Sequence, residues 1–458
     1  MDNQSTSSAM GRIRSLLDES SFVEIGALVR ARSTDFNLAE KKLPSDGVIT
    51  GYGTISGRLV YVYSQDSAVL GGSVGEMHGK KIAALYDMAM KMGAPLIELI
   101  DCSGLRLQEA SDSLFGMGRI YRKKIAASGV IPQLSAVFGS SGGGMAVLTA
   151  LSDFVFMEKE KGRLFVNAPD AVLGNKDDRI AMAEAQEENG LVDFSGSEEE
   201  ILGKLRELFS LLPSNNEDYA EPEGTEDDLN RSVSGIENLS APDALRLLSD
   251  DGVFFRTKRG YAPDLVTGFL RLNGQTVGAV MTEEKSLSWK GAEQAAGLIR
   301  FCDAYEIPVL TIVNTEGYRN DGCTEKHMAK AAARLAYAYA NASVPLVTVI
   351  RNAIGTAGLG LGSKALGADI VYAYPNARIG ILNEEKSAEL LFPDSDRESI
   401  QRQATELGKT QNSAQAAAER GYLDDIILPE ETRQRVIAAL DMLYTKTVSS
   451  PDKKHGTV

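Results

Sequence analysis

At 458 residues the chain is too long for one ordinary domain, and a net charge of −15 argues against a surface that holds nucleic-acid phosphates. A hydrophobic fraction of 43% with 44 glycines excludes disorder over most of the length and fits an α/β protein of tight turns and close helix–sheet packing. Cys102, Cys302 and Cys323 show no CxxC spacing, so neither a zinc ribbon nor a disulfide framework is indicated, no metal ligand set stands out, and a reducing cytoplasm is the expected location.

The start, MDNQSTSSAMGRIRSLLDES, lacks an apolar core of signal-peptide length, and no run of 18 apolar residues occurs. RIRSLLDES predicts a short helix, and turn-rich segments lead to a strand over Leu59–Tyr63. After Gly71-Gly72-Ser73, the spacing of Ile82, Leu85, Ala89 and Met92 predicts an amphipathic helix that Gly93 ends. A strand from Pro95, a polar loop, a helix around Leu114 to Ala127 and a strand over Gln133–Phe138 alternate as parallel pairing requires. Residues 213–235 are acidic, rich in Pro, Gly and Asn, and aperiodic, and read as an interdomain linker. The second half then repeats the order: a strand over Gln275–Met281, a helix over Gly291–Tyr305, a strand from Pro308, a helix over Glu325–Asn341 and a strand over Leu346–Ile350.

The two halves are punctuated alike. Pro132 follows Pro95 by 37 residues and Pro345 follows Pro308 by 37. Gly104 and Gly317 each lie 9 residues after their proline, and Gly143-Gly144 and Thr356-Ala357 lie 11 and 12 residues after theirs. This predicts an internal duplication of one α/β unit, with domains over 1–230 and 231–458. Ser140-Ser-Gly-Gly-Gly144 follows a buried strand and precedes the helical run Met145–Leu151; successive N–H groups at such a helix start stabilise developing negative charge. Ile354-Gly-Thr-Ala-Gly358 occupies the same place in the second half. A plain strand-to-helix turn explains either one alone, whereas two at matching addresses favour shared chemistry.

Histidines are scarce. A Ser–His–Asp hydrolase would have to draw on His78 or His327 with Ser140 or Ser141, His455 lying in a tail. That shortage favours chemistry in which a cofactor or the substrate moves the proton. Ala89-Met-Lys-Met92 matches the tetrapeptide around a biotinylated lysine, but biotin lysines sit on an exposed hairpin, and Lys91 falls in the last turn of the predicted helix. Cys102 and Cys323 sit in loops after strands, with no neighbouring base to activate them.

SQDSAVLGGSVGEMHGKKI, GAPLIELIDCSGLRLQEA, ASGVIPQLSAVFGSSGGGMAVLTALSDFVFM, IRFCDAYEIPVLTIVNTEGY, ANASVPLVTVIRNAIGTAGLGLGSKALGADIVYAYPNARI and the ending PDKKHGTV resemble the biotin-dependent acyl-CoA carboxyltransferase family over nearly the whole chain. That family includes propionyl-CoA carboxylase β subunits, methylmalonyl-CoA transcarboxylase and the α subunits of sodium-pumping decarboxylases. The resemblance implies two crotonase-like (ClpP/crotonase) domains, acyl-CoA held mainly by the first and biotin by the second. It also implies a homo-oligomer, dimer to hexamer, with the active site formed between the first domain of one subunit and the second of another. In the implied mechanism carboxybiotin releases CO2, the biotin enolate takes the α-proton of the acyl-CoA, and the thioester enolate attacks the CO2. Gly143 and Gly144 match the family's pair of donors to that enolate, and Thr356 and Ala357 the pair that holds the ureido oxygen. Gly71, Gly72 and Ser73 match a loop near CoA, with Gly104, Ser141 and Gly355 as further substrate contacts.

The chain departs from the family pattern around this site. Ile354-Gly-Thr-Ala357 stands for Tyr-Gly-Gly-Ala, Asp101-Cys-Ser-Gly-Leu-Arg106 for Asp-Ser-Gly-Gly-Ala-Arg, Thr315-Glu-Gly-Tyr318 for Val-Pro-Gly-Phe, and Leu382-Asn383 for Met-Gly. The segment from Lys176 to Ser195 is shorter than its counterpart and lacks a Leu-Gly-Gly-Ala stretch. The expected function is the carboxyltransferase component of a biotin-dependent enzyme acting on a short acyl-CoA. Its expected partners are a biotinylated carrier protein and a biotin carboxylase or membrane decarboxylase subunit. The alternatives are the α subunit of a sodium-pumping carboxyacyl-CoA decarboxylase and a catalytically silent, CoA-binding assembly subunit.

Overall fold

A computed structural model describes residues 8–32, 43–218 and 224–448. The ending PDKKHGTV with His455, and the first seven residues, lie outside the described residues. The chain divides into two compact units, Met1–Tyr219 and Ala220–Val458.

The first unit carries an eight-stranded sheet. Its strands are β1 (Val23–Ile25), β2 (Val48–Ile55), β3 (Arg58–Gln65), β4 (Leu96–Cys102), β5 (Gln133–Gly142), β6 (Phe154–Glu158), β7 (Arg163–Phe165) and β8 (Phe194–Gly196). They run in the order β1-β2-β3-β4-β5-β6-β8, with β7 pairing β5 beyond the point where β6 ends. Pairing is antiparallel from β1 to β3 and parallel from β3 to β8. The apolar run of β4 is buried on both faces, as parallel strands under helices require. Its fully buried carboxylate, Glu98, is satisfied inside by Lys124 Nζ at 2.7 Å and by the hydroxyls of Tyr86 and Ser135.

The helices of this unit are α1 (Ser8–Leu16), α2 (Glu76–Met92), α3 (Ala110–Ala127), α4 (Gly144–Ala150), α5 (Ala183–Glu188) and α6 (Glu198–Leu211). α2 buries Ile82, Leu85 and Ala89 and stops at Gly93, whose left-handed φ of 58° needs no Cβ. Lys91 is in its last turn, so the biotin-like tetrapeptide is helical. α2 and α3 approach closely where a Cβ on Gly79 would come within 2.9 Å of Gly116 Cα.

The second unit repeats this plan. Its strands are β9 (Phe254–Thr257), β10 (Leu265–Leu272), β11 (Gln275–Thr282), β12 (Ser286–Leu287), β13 (Val309–Thr315), β14 (Gly317–Tyr318), β15 (Leu346–Ile354), β16 (Ile370–Gly380) and β17 (Asp425–Ile426). The main sheet runs β17-β16-β15-β13-β11-β10-β9, parallel from β11 to β17, and β12 pairs β14 separately. The helices are α7 (Ala241–Leu248), α8 (Trp289–Ala304), α9 (Gly322–Asn341), α10 (Gly355–Gly360), α11 (Glu384–Leu391), α12 (Arg397–Thr410), α13 (Ala414–Glu419) and α14 (Thr432–Leu443).

Two expectations need correcting. Both strands that lead into the Gly-containing turns run four residues past their predicted ends, to Gly142 and Ile354, because bulges let them keep pairing with their neighbours. The acidic stretch is also not a free linker throughout. Buried Arg433 donates to Asp228 O at 2.8 Å and to the Asp250 carboxylate, and buried Val233 N donates to Glu430 O at 3.1 Å, so the second half of the stretch is bound into the second unit. Among the described residues no helix is long and apolar enough to cross a membrane.

Candidate functional site

In the first unit the site grows from the junction of β5 and α4. Gly143 sits at φ +60°, where a Cβ is strained, and turns the chain from strand into helix. Its own N–H donates to Phe165 O at 2.9 Å. The N–H groups of Gly144 and Met145, in the first turn of α4, have no intrahelical acceptor. The N–H groups without a helical partner thus begin one residue later than the spacing suggested.

The other residues expected in this half do come together. Ser103 N donates to Gly71 O at 3.0 Å and Val74 N to Gly104 O at 2.9 Å, which seats the Gly71-Gly72-Ser73 loop on the loop after β4. A Cβ on Gly72 would lie 2.2 Å from Asp101 O, and Gly104, next to Gly142 O, has φ +117°, so the first glycine is required by close approach and the second by its backbone conformation. Two predicted contacts face inward. Ser141 Oγ pairs with Thr149 Oγ1 at 2.9 Å under α4, and Ser73 Oγ donates to Leu70 O at 2.7 Å.

Beneath the loop lies a buried polar network that pattern reading missed. The Arg106 guanidinium is fully enclosed and donates to Glu109 Oε1 at 2.8 Å, Ser73 O at 2.7 Å and Asp46 O at 3.0 Å. Glu109 Oε2 accepts from Glu76 N at 2.6 Å and so closes the start of α2. Asp46 meets Lys81 at 3.3 Å, and burial raises its pKa against the pull of that ammonium. His78 contacts Asp46 O and Gln65 Nε2, each at 3.1 Å, and burial, helped by the Arg106 charge, lowers its pKa to about 3. So weakly basic an imidazole, with both ring nitrogens engaged, does not serve as the base of a serine hydrolase. His327 in turn pairs with Cys323 O one turn back in α9. Burial raises the Cys102 thiol to about 12, the state of an inert core cysteine.

In the second unit the site grows from the junction of β15 and α10. Gly355 has φ +67°, Thr356 is exposed, and Ala357 is buried. The first-turn N–H groups of Thr356 and Ala357 again lack intrahelical acceptors. A cavity of about 730 Å³ opens beside this turn, lined by Gly355, Gly358, Ile381, Leu382, Leu391 and Asn412 among others. Asn412 Nδ2 holds Leu382 O at 2.9 Å, and the Asn383 side chain accepts from Lys386 N at 3.0 Å to cap α11. The Leu382-Asn383 departure therefore forms one wall of the cavity and the start of a helix.

Equal spacing from the prolines sets Gly143–Gly144 against Thr356–Ala357, but strand pairing does not. Ile100 pairs Val137 and Cys102 pairs Ser141, so β5 gains two residues on β4 across its bulge. Val313 pairs Ile350 and Thr315 pairs Ala353, so β15 gains one on β13. Beyond the bulges Gly143 is the counterpart of Gly355, and Gly144 of Thr356. The matching positive φ angles, +60° and +67°, agree. Each unit thus has one glycine at positive φ followed by two first-turn N–H groups without an intrahelical acceptor.

A family model described as the carboxyl transferase domain matches residues 3–458. The chain belongs to the carboxyl transferase family. It is 37% identical to the propionyl-CoA carboxylase beta chain of Roseobacter denitrificans, over 98% of this chain and 93% of that one. It is 36% identical to the methylmalonyl-CoA decarboxylase subunit alpha of Propionigenium modestum, over 98% and 92%. The solved structure of the transcarboxylase 12S hexamer with hydrolysed methylmalonyl-coenzyme A bound superposes with a TM-score of 0.94 at 33% identity, covering 98% of this chain and 92% of that one. The duplicated α/β fold is accordingly the crotonase-like fold of this family.

Proposed function

We propose that this chain is the carboxyltransferase component of a biotin-dependent enzyme, moving a carboxyl group between biotin on a separate carrier protein and a short acyl-CoA. The observation that carries this reading is the pair of turns, each a left-handed glycine followed by two free helix-start N–H groups, in a member of the carboxyl transferase family. Two oxygens acquire negative charge in such a transfer, and preorganised N–H donors stabilise charge of that kind.

In the first unit, Gly144 and Met145 N–H would hold the thioester oxygen as it becomes an enolate, with Gly143 shaping the turn. Gly71, Gly72, Ser73 and Gly104 would offer main chain to the CoA. In the second unit, Thr356 and Ala357 N–H would hold the ureido oxygen, and the cavity beside Gly355 suits biotin's apolar ring and arm by its volume and its largely aliphatic lining. Bound biotin supplies the carboxyl group and takes up the substrate's α-proton. The protein's own work is to bind, to orient and to neutralise charge, in keeping with a neutral, buried His78.

The likeness to the decarboxylase subunit supports a second reading, the α subunit of a sodium-pumping decarboxylase, in which the same residues run the transfer towards biotin. We place the chain in the cytoplasm and in a homo-oligomer with a biotinylated carrier and either a biotin carboxylase or a membrane decarboxylase subunit. The test is a mass-spectrometric survey of CoA esters incubated with the protein and a biotinylated carrier. Gain of carboxylate by a short acyl-CoA supports carboxylation, and loss from a carboxyacyl-CoA supports the second reading. No change in any ester, with CoA still bound, points to a silent assembly subunit.

A further inference from the structure

The two turns share a contact that the duplicated sequence does not explain. Tyr121 Oη on α3 donates to Gly144 O at 2.5 Å, and Tyr318 Oη in β14 donates to Thr356 O at 3.1 Å. By strand pairing these two carbonyls are counterparts. The tyrosines are not. The offset between the halves carries Tyr121 to Arg334, which pairs with Glu293, and carries Tyr318 to Leu105, which bridges Val74. Two unrelated addresses supply the same hydroxyl to the same place.

Each accepting carbonyl belongs to the peptide whose N–H comes next: Met145 in the first unit, Ala357 in the second. A hydrogen bond to an amide oxygen draws electron density from the amide nitrogen, so its N–H becomes a stronger donor. The same bond fixes the rotation of the peptide plane and hence the direction in which the N–H points. Gly144 has room for this because a Cβ there would lie 3.2 Å from Tyr121 Oη.

We propose that Tyr121 and Tyr318 are positioning residues, each aiming and polarising the helix-start N–H that meets the ligand oxygen of its own unit. The assignment rests on the carboxyltransferase reading and names which side chains tune its two donor sites. Tyr318 and Thr356 are both departures from the family pattern, and here the one holds the backbone of the other.

The test uses Tyr121→Phe and Tyr318→Phe in the full chain, with isotope-edited infrared spectra of two bound probes: a propionyl-CoA labelled with ¹³C at its carbonyl, and free biotin labelled with ¹³C at its ureido carbonyl. In the wild type both bands shift to lower frequency on binding. Tyr121→Phe loses much of the thioester shift and keeps the biotin shift, and Tyr318→Phe does the reverse. Turnover falls about threefold to tenfold in each, the effect of one neutral hydrogen bond, with KM for the acyl-CoA unchanged. Loosened folding would move both bands together, so the crossed pattern is the support. Bound probes whose bands ignore both substitutions overturn the tyrosine assignment and leave the carboxyltransferase reading standing. A wild type that binds neither probe overturns both.

Discussion

A Cβ on Gly143 would meet no heavy atom within 4 Å, yet φ is +60°, so a side chain there is opposed by the backbone and not by a neighbour. Gly143→Val is expected to untwist the turn and misplace the Gly144 and Met145 donors. Losing such a donor lowers turnover by about 10²–10³, and acyl-CoA binding weakens with it. Thr356→Gly is expected to leave CoA-ester affinity unchanged while altering transfer with the carrier, since its side chain stands exposed at the second turn. Paired titrations of both variants with a CoA ester and with free biotin separate the halves; no change in either variant would reduce the turns to structural corners. His78 sets a pH dependence of stability. Its folded pKa, about 3, lies below the ordinary 6.5, so on acidification the unfolded chain takes the proton first. The contribution of His78 to stability is full above pH 6.5 and is lost progressively towards pH 3. Urea midpoints measured against pH should therefore fall less steeply in His78→Gln than in the wild type, and parallel slopes would refute this.

The loop before α2 is held to the loop after β4 by charge inside the protein. Glu109 touches both the Arg106 guanidinium and the first N–H of α2, so one carboxylate neutralises a cation and closes a helix end. Glu109→Ala leaves the guanidinium buried without its partner, which costs about 3–5 kcal/mol. Pairing that change with Arg106→Met is expected to recover a large part of the loss, because the uncompensated charge is gone. Denaturation midpoints of the single and double variants check this, and equal destabilisation by both would show that the pair matters only as packing. The i, i+3 spacing of Arg106 and Glu109 is visible in sequence. Asp46 and Ser73, 60 and 33 residues away from Arg106, become its neighbours only when the loops fold together.

At the scale of the whole molecule, Leu114 and Phe115 on α3 and Leu390 and Leu391 on α11 are more than half exposed. Adjacent exposed apolar side chains on each of these helices are the kind of surface that associates, and they are in keeping with the proposed homo-oligomer. Sedimentation at low micromolar concentration is expected to show a dimer or larger species and no monomer. A clean, active monomer would refute it.

Composition, hydrophobic period and the repeated Pro and Gly positions determined the α/β class, the duplication, most strands and helices, and the two turns, because each of these is written in local spacing. Family membership was legible for the same reason: its motifs are short contiguous runs. Only the tertiary structure decided which N–H groups are free. The bulges of β5 and β15 differ by one residue, so equal counting along the chain ends one step out of register in space, and the Gly143 N–H is spent on Phe165. Counting residues measures contour length, whereas the donor that faces a ligand is set by which strand each residue pairs with. The tyrosine contacts follow the same logic: Tyr121 and Tyr318 reach equivalent carbonyls from unrelated positions, a convergence with no signature in either half of the sequence.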